Sequence, residues 1–168
     1  MNAKPASASR AILTHFLLPE DANPAGNIHG GVIMKNIDSA AGVAAFRHAR
    51  RNVVTASIDR LDFIHPAFVG NLLILKASVN LAGRTSMEVG VRAETENLLS
   101  GEIRHVSSAF LTFVALDEAG HPTPIPSLTF ETEKQKHRHR MAQARRKTRL
   151  AEKQREDACD DDPDQCLS

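Results

Sequence analysis

Asn23, the run His29-Gly30-Gly31 and Asp38 lie close together in the chain and differ in kind from what surrounds them. From Val32 to Phe46 the sequence is almost wholly apolar and holds one carboxylate, Asp38. An unpaired buried carboxylate costs several kcal/mol or must take up a proton, so Asp38 needs either partners or a task. Its plain structural role is a polar seam, bonded to Ser39 or to a neighbouring subunit. Gly30 and Gly31 open the apolar run. At a helix start their backbone N–H groups are free and face the positive end of the helix dipole, which suits developing negative charge. Glycine also lets a ligand approach the backbone closely, or lets a helix pack tightly on a sheet. Asn23-Pro24 by itself is a turn former.

The elements that would hold these groups follow from the rest of the chain. With 168 residues, 42% apolar content and a net charge of +1, one domain with an appended tail is expected, without a global preference for nucleic acid or membrane. There is no Trp or Tyr and only seven Phe, so the core is aliphatic. No apolar run approaches the roughly 20 residues that cross a bilayer. The basic N-terminus, with Lys4 and Arg10 and no acid before Glu20, faintly resembles a transit peptide, but its apolar part reads better as a strand. The two cysteines, Cys159 and Cys166, fall in the polar tail, which suits a reduced, cytoplasmic protein.

A first strand is expected over Ile12–Leu18, ended by Pro19. The helix from Gly30 to about Arg47 or Arg51 is apolar at nearly every angle, so it should be buried on all sides. Val53–Pro66 places Val54, Ala56 and Ile58 on one face, then shifts phase to Leu61 and Phe63, which suggests a bulge near Arg60. Asn71–Gly83 alternates cleanly. Arg84–Asn97 puts Met87, Val89, Val91 and Ala93 inward and Glu88, Arg92 and Glu94 outward. Gly101–Asp117 reads as a central strand, and 118–126 as a turn and exit. Ten Lys or Arg from Lys134 to Arg155 mark a basic surface helix, followed by an acidic, disordered end. One strand, a long helix and four more strands make an α+β arrangement with a mostly antiparallel five-stranded sheet. A helix that one sheet cannot cover implies a partner subunit.

This order and these motifs resemble the hotdog-fold acyl-CoA thioesterases, closest to the cytosolic acyl-CoA hydrolase branch. In that fold a curved five-stranded sheet wraps a central helix. The resemblance covers roughly Ile12 to Pro126. Asp21–Gly31, Asp38 within Lys35–Gly42, Phe63–Asn71, Ala82–Glu94 and the stretch from Phe110 to Pro126 carry it. It divides the chain into a hotdog domain at 11–126, a basic helical extension at 127–157 and an acidic tail at 158–168.

The resemblance implies hydrolysis of acyl-CoA to fatty acid and coenzyme A. Asp38 acts either as general base for a water or as nucleophile. Gly30 and Gly31 hold the carbonyl oxygen at the helix N-terminus. Asn23 orients the thioester or the water opposite an Asp from the adjoining subunit. Arg84, Thr85 and Ser86 take the coenzyme A phosphates, Val54 and Thr55 lie beside the pantetheine arm through their backbone, and His29 packs at the loop-to-helix corner near the substrate. No metal or redox cofactor is implied. The expected partners are acyl-CoA, the chain itself as a dimer or trimer of dimers, and a regulatory nucleotide of the kind some relatives bind. Nucleic acid is disfavoured, since the basic tail has no aromatic residue beyond Phe130. A hydratase would carry a His where this chain has Val43. A non-catalytic acyl-CoA or nucleotide sensor is the alternative from another class.

Overall fold

A computed structural model of the chain describes residues 2–161, with side chains described up to 155. The elements run β1 (Lys4–Pro5), β2 (Ala11–Phe16), α1 (Gly30–Ala49), β3 (Asn52–Phe63), β4 (Asn71–Ala82), β5 (Ser86–Asn97), β6 (Ile103–Leu116), β7 (Leu128–Thr129) and α2 (Glu133–Asp161). The five long strands form one antiparallel sheet in the order β2-β4-β5-β6-β3. This is the expected α+β hotdog architecture. Two short pieces were not foreseen: β1 and β7 pair in parallel and tie the two flanks of the domain together. The expected acidic end falls mostly outside the described residues.

The core lies between α1 and one face of the sheet. Ile33, Ile37, Ala40, Ala41, Ala44 and Ala45 of α1 meet Leu73, Leu75, Val89, Val91, Leu111 and Phe113. Small alanines along the helix let the sheet curve close around it. The helix stops at Ala49, where Arg50 takes a left-handed conformation (φ 52°) and its N–H closes on the Phe46 carbonyl at 2.8 Å. Full burial of α1 is not what the single chain shows. Met34 and Phe46 are 40% and 47% exposed, and the neighbouring edge strand β3 leaves Val54 and Ile58 open as well.

The other face of the sheet corrects the reading of the basic segment. Glu88 and Glu94 point outward as expected, yet Glu88 is buried because α2 lies across this face. Arg145 of α2 grips Glu88 with both nitrogens, at 2.7 and 3.0 Å, and its guanidinium stacks 3.6 Å over the Phe110 ring. Ala142 and Gln135 are buried beneath the helix. The charges of α2 are therefore partly structural up to Arg149, and residues 150–155 are exposed on every side.

Candidate active site

Asp38 sits in the middle of α1, half-buried, beside the open edge strand. Its partner is not Ser39, whose hydroxyl donates back to the Lys35 carbonyl. The Thr55 hydroxyl donates to Asp38 Oδ1 at 2.7 Å. One carboxylate oxygen is thereby fixed in direction, and no hydrogen bond to the other is made among the described residues. Thr55 was expected beside the pantetheine arm through its backbone, and this side-chain role was not foreseen. It arises because β3 presents Thr55 to α1, opposite the inward-facing Phe113 of β6.

The helix start is organised more tightly than two free glycines would be. His29 is the N-cap, and its Nδ1 accepts the Gly31 N–H at 2.9 Å. The Gly31 N–H is therefore occupied, contrary to the expectation that both were free. The bond also fixes His29 Nδ1 as an acceptor, so a neutral ring carries its proton on Nε2. Gly30 N–H has no acceptor among the described residues. The Phe63 ring lies over Gly30, and a Cβ added there would stand 3.3 Å from it.

Asn23 is held in a tight loop. Its Oδ1 accepts from the N–H groups of Ala25 (2.9 Å) and Asn27 (3.3 Å), and its own N–H reaches the Asn27 carbonyl at 2.7 Å. These contacts orient the amide so that its Nδ2 donors face away from the turn. The loop is latched to the scaffold by His29 N–H to the Asp21 carbonyl (2.8 Å) and Ile28 N–H to the Ala67 carbonyl (2.9 Å).

Arg84 and Thr85 lie with Gly83 in the β4–β5 connection, and Ser86 opens β5. Gly83 N–H donates to the Ser86 carbonyl at 2.7 Å, and the Thr85 and Arg84 carbonyls accept from Ala115 and Ile125. Arg84 is exposed and forms no ion pair among the described residues. Arg146 of α2 lies against Gly83, which sequence reasoning missed because nothing in the basic run marks which arginines face the sheet. Val54 is exposed on the far face of β3, opposite Val114. Among the described residues, no group of three or more His, Cys, Asp or Glu could hold a metal, and no helix is long and apolar enough to cross a membrane.

Known proteins share this fold. The pattern of the thioesterase superfamily matches residues 25–101. The acyl-CoA thioester hydrolase YkhA of Bacillus subtilis, itself uncharacterized, is 41% identical over 125 residues, which cover 74% of this chain and 73% of that protein. Among solved structures, an apo-hexameric acyl-CoA thioesterase matches with TM-score 0.87 and 43% identity, covering 90% of this chain and 97% of the other. The acyl-CoA hydrolase of Staphylococcus aureus, solved with butyryl coenzyme A and coenzyme A, matches with TM-score 0.88 and 33% identity, covering 95% and 97%.

The chain is a hotdog-fold thioester hydrolase. It belongs to the thioesterase superfamily, among the acyl-CoA thioester hydrolases.

Variants of the Staphylococcus enzyme with an Asn, an Asp or a Thr replaced by Ala have also been solved. In that protein the Asp follows the Asn by 15 residues and the Thr follows the Asp by 17. Asn23, Asp38 and Thr55 have the same spacings.

Proposed function

We propose that this chain hydrolyses acyl-CoA at a site shared between two subunits, with Asp38 driving the attack of water. The observation that carries the reading is the Thr55–Asp38 hydrogen bond in an otherwise apolar helix. It aims the carboxylate, with one oxygen left to take a proton from water. As the water attacks the thioester carbon, its proton passes to Asp38 and negative charge gathers on the carbonyl oxygen. Gly30 N–H and the Asn23 Nδ2 donors receive that oxyanion. The tetrahedral intermediate collapses by breaking the C–S bond, and coenzyme A leaves as a thiolate, which is then protonated. The matching Asn–Asp–Thr spacing in the Staphylococcus enzyme supports the choice of residues.

The helix itself argues for two subunits. Asp38 lies eight residues beyond Gly30, which is about 12 Å along the axis. One carbonyl cannot meet both groups of the same helix. A second copy laid against the exposed edge of β3 and the open stripe of α1, including Met34 and Phe46, brings one chain's helix start to the other's Asp38. Burial of those apolar residues would stabilise that pairing. Hexameric relatives are in keeping with a trimer of such dimers.

Arg84, with Thr85 and Ser86 beside it and Arg146 nearby, takes the coenzyme A phosphates. His29 holds the helix start in shape while its Nε2 edge faces the ligand. Val54 borders the same edge. A groove of about 560 Å³ on the outer face of the sheet, lined by Arg10, Lys76, Arg92, Lys134, Arg138 and Phe110, offers a seat for the regulatory nucleotide expected from the family. The chemistry calls for no metal or redox cofactor, and the reduced cytoplasmic setting expected from the sequence belongs to the same reading.

The test is thiol release from acyl-CoAs of short, medium and long chain, for the wild type beside Asp38→Asn. A fall in turnover of about 10²-fold or more, with fold and assembly kept, is the expected result. Tight binding of acyl-CoA by the wild type without turnover would overturn the reading in favour of a sensor.

A further inference from the structure

The strand that carries Thr55 breaks its pairing twice. Thr55 lies opposite Phe113, but Ser57 lies opposite Thr112; Ile58 lies opposite Leu111, but Arg60 lies opposite Phe110. Ala56 and Asp59 thus oppose no residue of β6. Each is a bulge, and each reverses which face the following residues take. Ile58 and Leu61 face α1 as a result, on the same side as Thr55, while Ser57 faces outward with Thr112. Without the first bulge, Ser57 would replace Ile58 against the helix.

One of the two bulged residues is anchored from outside the sheet. The Asp59 carboxylate pairs with the Arg149 guanidinium of α2 and accepts the Ser57 hydroxyl at 2.8 Å. Its side chain is only 11% exposed, although β3 is the open edge of the sheet. Arg149 lies one helical turn beyond Arg145, which is clamped to Glu88 on β5. Two successive turns of α2 therefore fasten the middle of the sheet and its edge.

We infer that Arg149 is a positioning residue for hydrolysis: by holding the Asp59 bulge it fixes where β3 sits along β6, and with it the Thr55 hydroxyl against Asp38. An edge strand is paired on one side within its own chain, so its register is weakly specified there, and a bulge needs a reason to stay in place. Arg149 supplies that reason from the face opposite the reaction. The basic extension is in this way part of the catalytic apparatus without touching substrate. The inference rests on the hydrolase reading above.

The experiment is Arg149→Met in the full chain, read by steady-state kinetics and by hydrogen exchange. The variant should lose about tenfold in kcat with KM little changed, as for a misaimed catalytic group. The same change in a Thr55→Val background should cost nothing further. Arg149→Lys, which keeps the charge, should retain most activity. Exchange across residues 52–63 should quicken while the β4–β5 hairpin keeps its protection. Unchanged kcat, an equal loss in both backgrounds, or unchanged exchange in β3 would each overturn the inference. If Arg149→Met fails to fold, Asp59→Asn, which keeps an acceptor for Ser57, is held to the same criteria. A wild type without hydrolase activity would overturn the hydrolase reading and this catalytic role with it, whereas an active wild type with unchanged β3 exchange in Arg149→Met would overturn the inference alone.

Discussion

The Thr55 hydroxyl and the Asp38 carboxylate, 2.7 Å apart, join the open edge of the sheet to the middle of the buried helix. The bond places the strand's outermost register and the helix's one carboxylate under a single constraint. Hydrogen bonds to a charged group contribute about 1.5–3 kcal/mol. Thr55→Val should therefore lower kcat by about 10- to 100-fold with a smaller change in KM, and Thr55→Ser should keep most of the rate. Steady-state kinetics on one acyl-CoA checks this. Equal activity in Thr55→Val would mean that the bond does not aim the carboxylate.

The clamp between α2 and the sheet should be asymmetric. The Glu88 side chain is 1% exposed and Arg145 is 23% exposed. Arg145→Met strands a buried carboxylate, at a cost of about 3–5 kcal/mol. Glu88→Gln should cost less, because Arg145 can turn towards water while Asn80 still bonds the new amide. Urea unfolding of the two variants measures the order, and a reversed order would contradict the burial argument.

Gly90 is required by its neighbour on β4. A Cβ there would stand 2.5 Å from Asn80 Nδ2, and Asn80 is buried and donates to Glu88 Oε1 at 3.2 Å. Gly90→Ala should destabilise the chain by about 1–3 kcal/mol. Adding Asn80→Ala should recover part of that loss. Denaturation midpoints of the single and double variants decide the matter.

His48 should give the stability an acid dependence. Burial holds it below the ordinary histidine range and the Lys4 charge acts the same way, against the Pro126 carbonyl, which favours the charged form. Its Nε2 meets that carbonyl at 2.8 Å, and its Nδ1 is buried without a partner. Protonation would place an N–H where nothing accepts it. The unfolded chain takes up the proton first, so the contribution is complete above about pH 6.5 and lost as pH falls through the lower folded value. Glu94, lowered by Lys76 and then Arg92, keeps its contribution down to the ordinary carboxylate range and loses it only as pH falls further. Urea midpoints should therefore fall on acidification from about pH 6.5, and His48→Gln should flatten that slope.

The sequence made the scaffold legible because its signals are local. Alternation marked β4 and β5, the apolar run marked α1, and Gly83-Arg84 marked the turn between strands. The motif series from Asn23 to Asp38 pointed to the chemistry. What escaped was set by distant partners. The phase slip near Arg60 was visible and corresponds to the bulge at Asp59. The bulge at Ala56 was hidden because Val54, Ala56 and Ile58 form a false alternation; in the sheet Val54 faces outward and Ile58 faces the helix. That concealed shift turns Ile58, and not Ser57, to the helix beside Thr55. Likewise, nothing in ten dispersed cations says which ones meet Glu88 and Asp59. His29 could be placed at the helix corner, but its seizure of the Gly31 N–H is visible only in the cap geometry.

The shared site can be tested by complementation. Asn23→Ala and Asp38→Asn chains are each purified, unfolded together and refolded as a mixture, and thiol release is compared with each variant alone. If one subunit's Asn23 works with the other's Asp38, a mixed dimer contains one intact site and one doubly damaged one. Random pairing then restores about a quarter of the wild-type rate from two inactive proteins. No recovery in a mixture shown by mass spectrometry to contain mixed dimers would contradict the account.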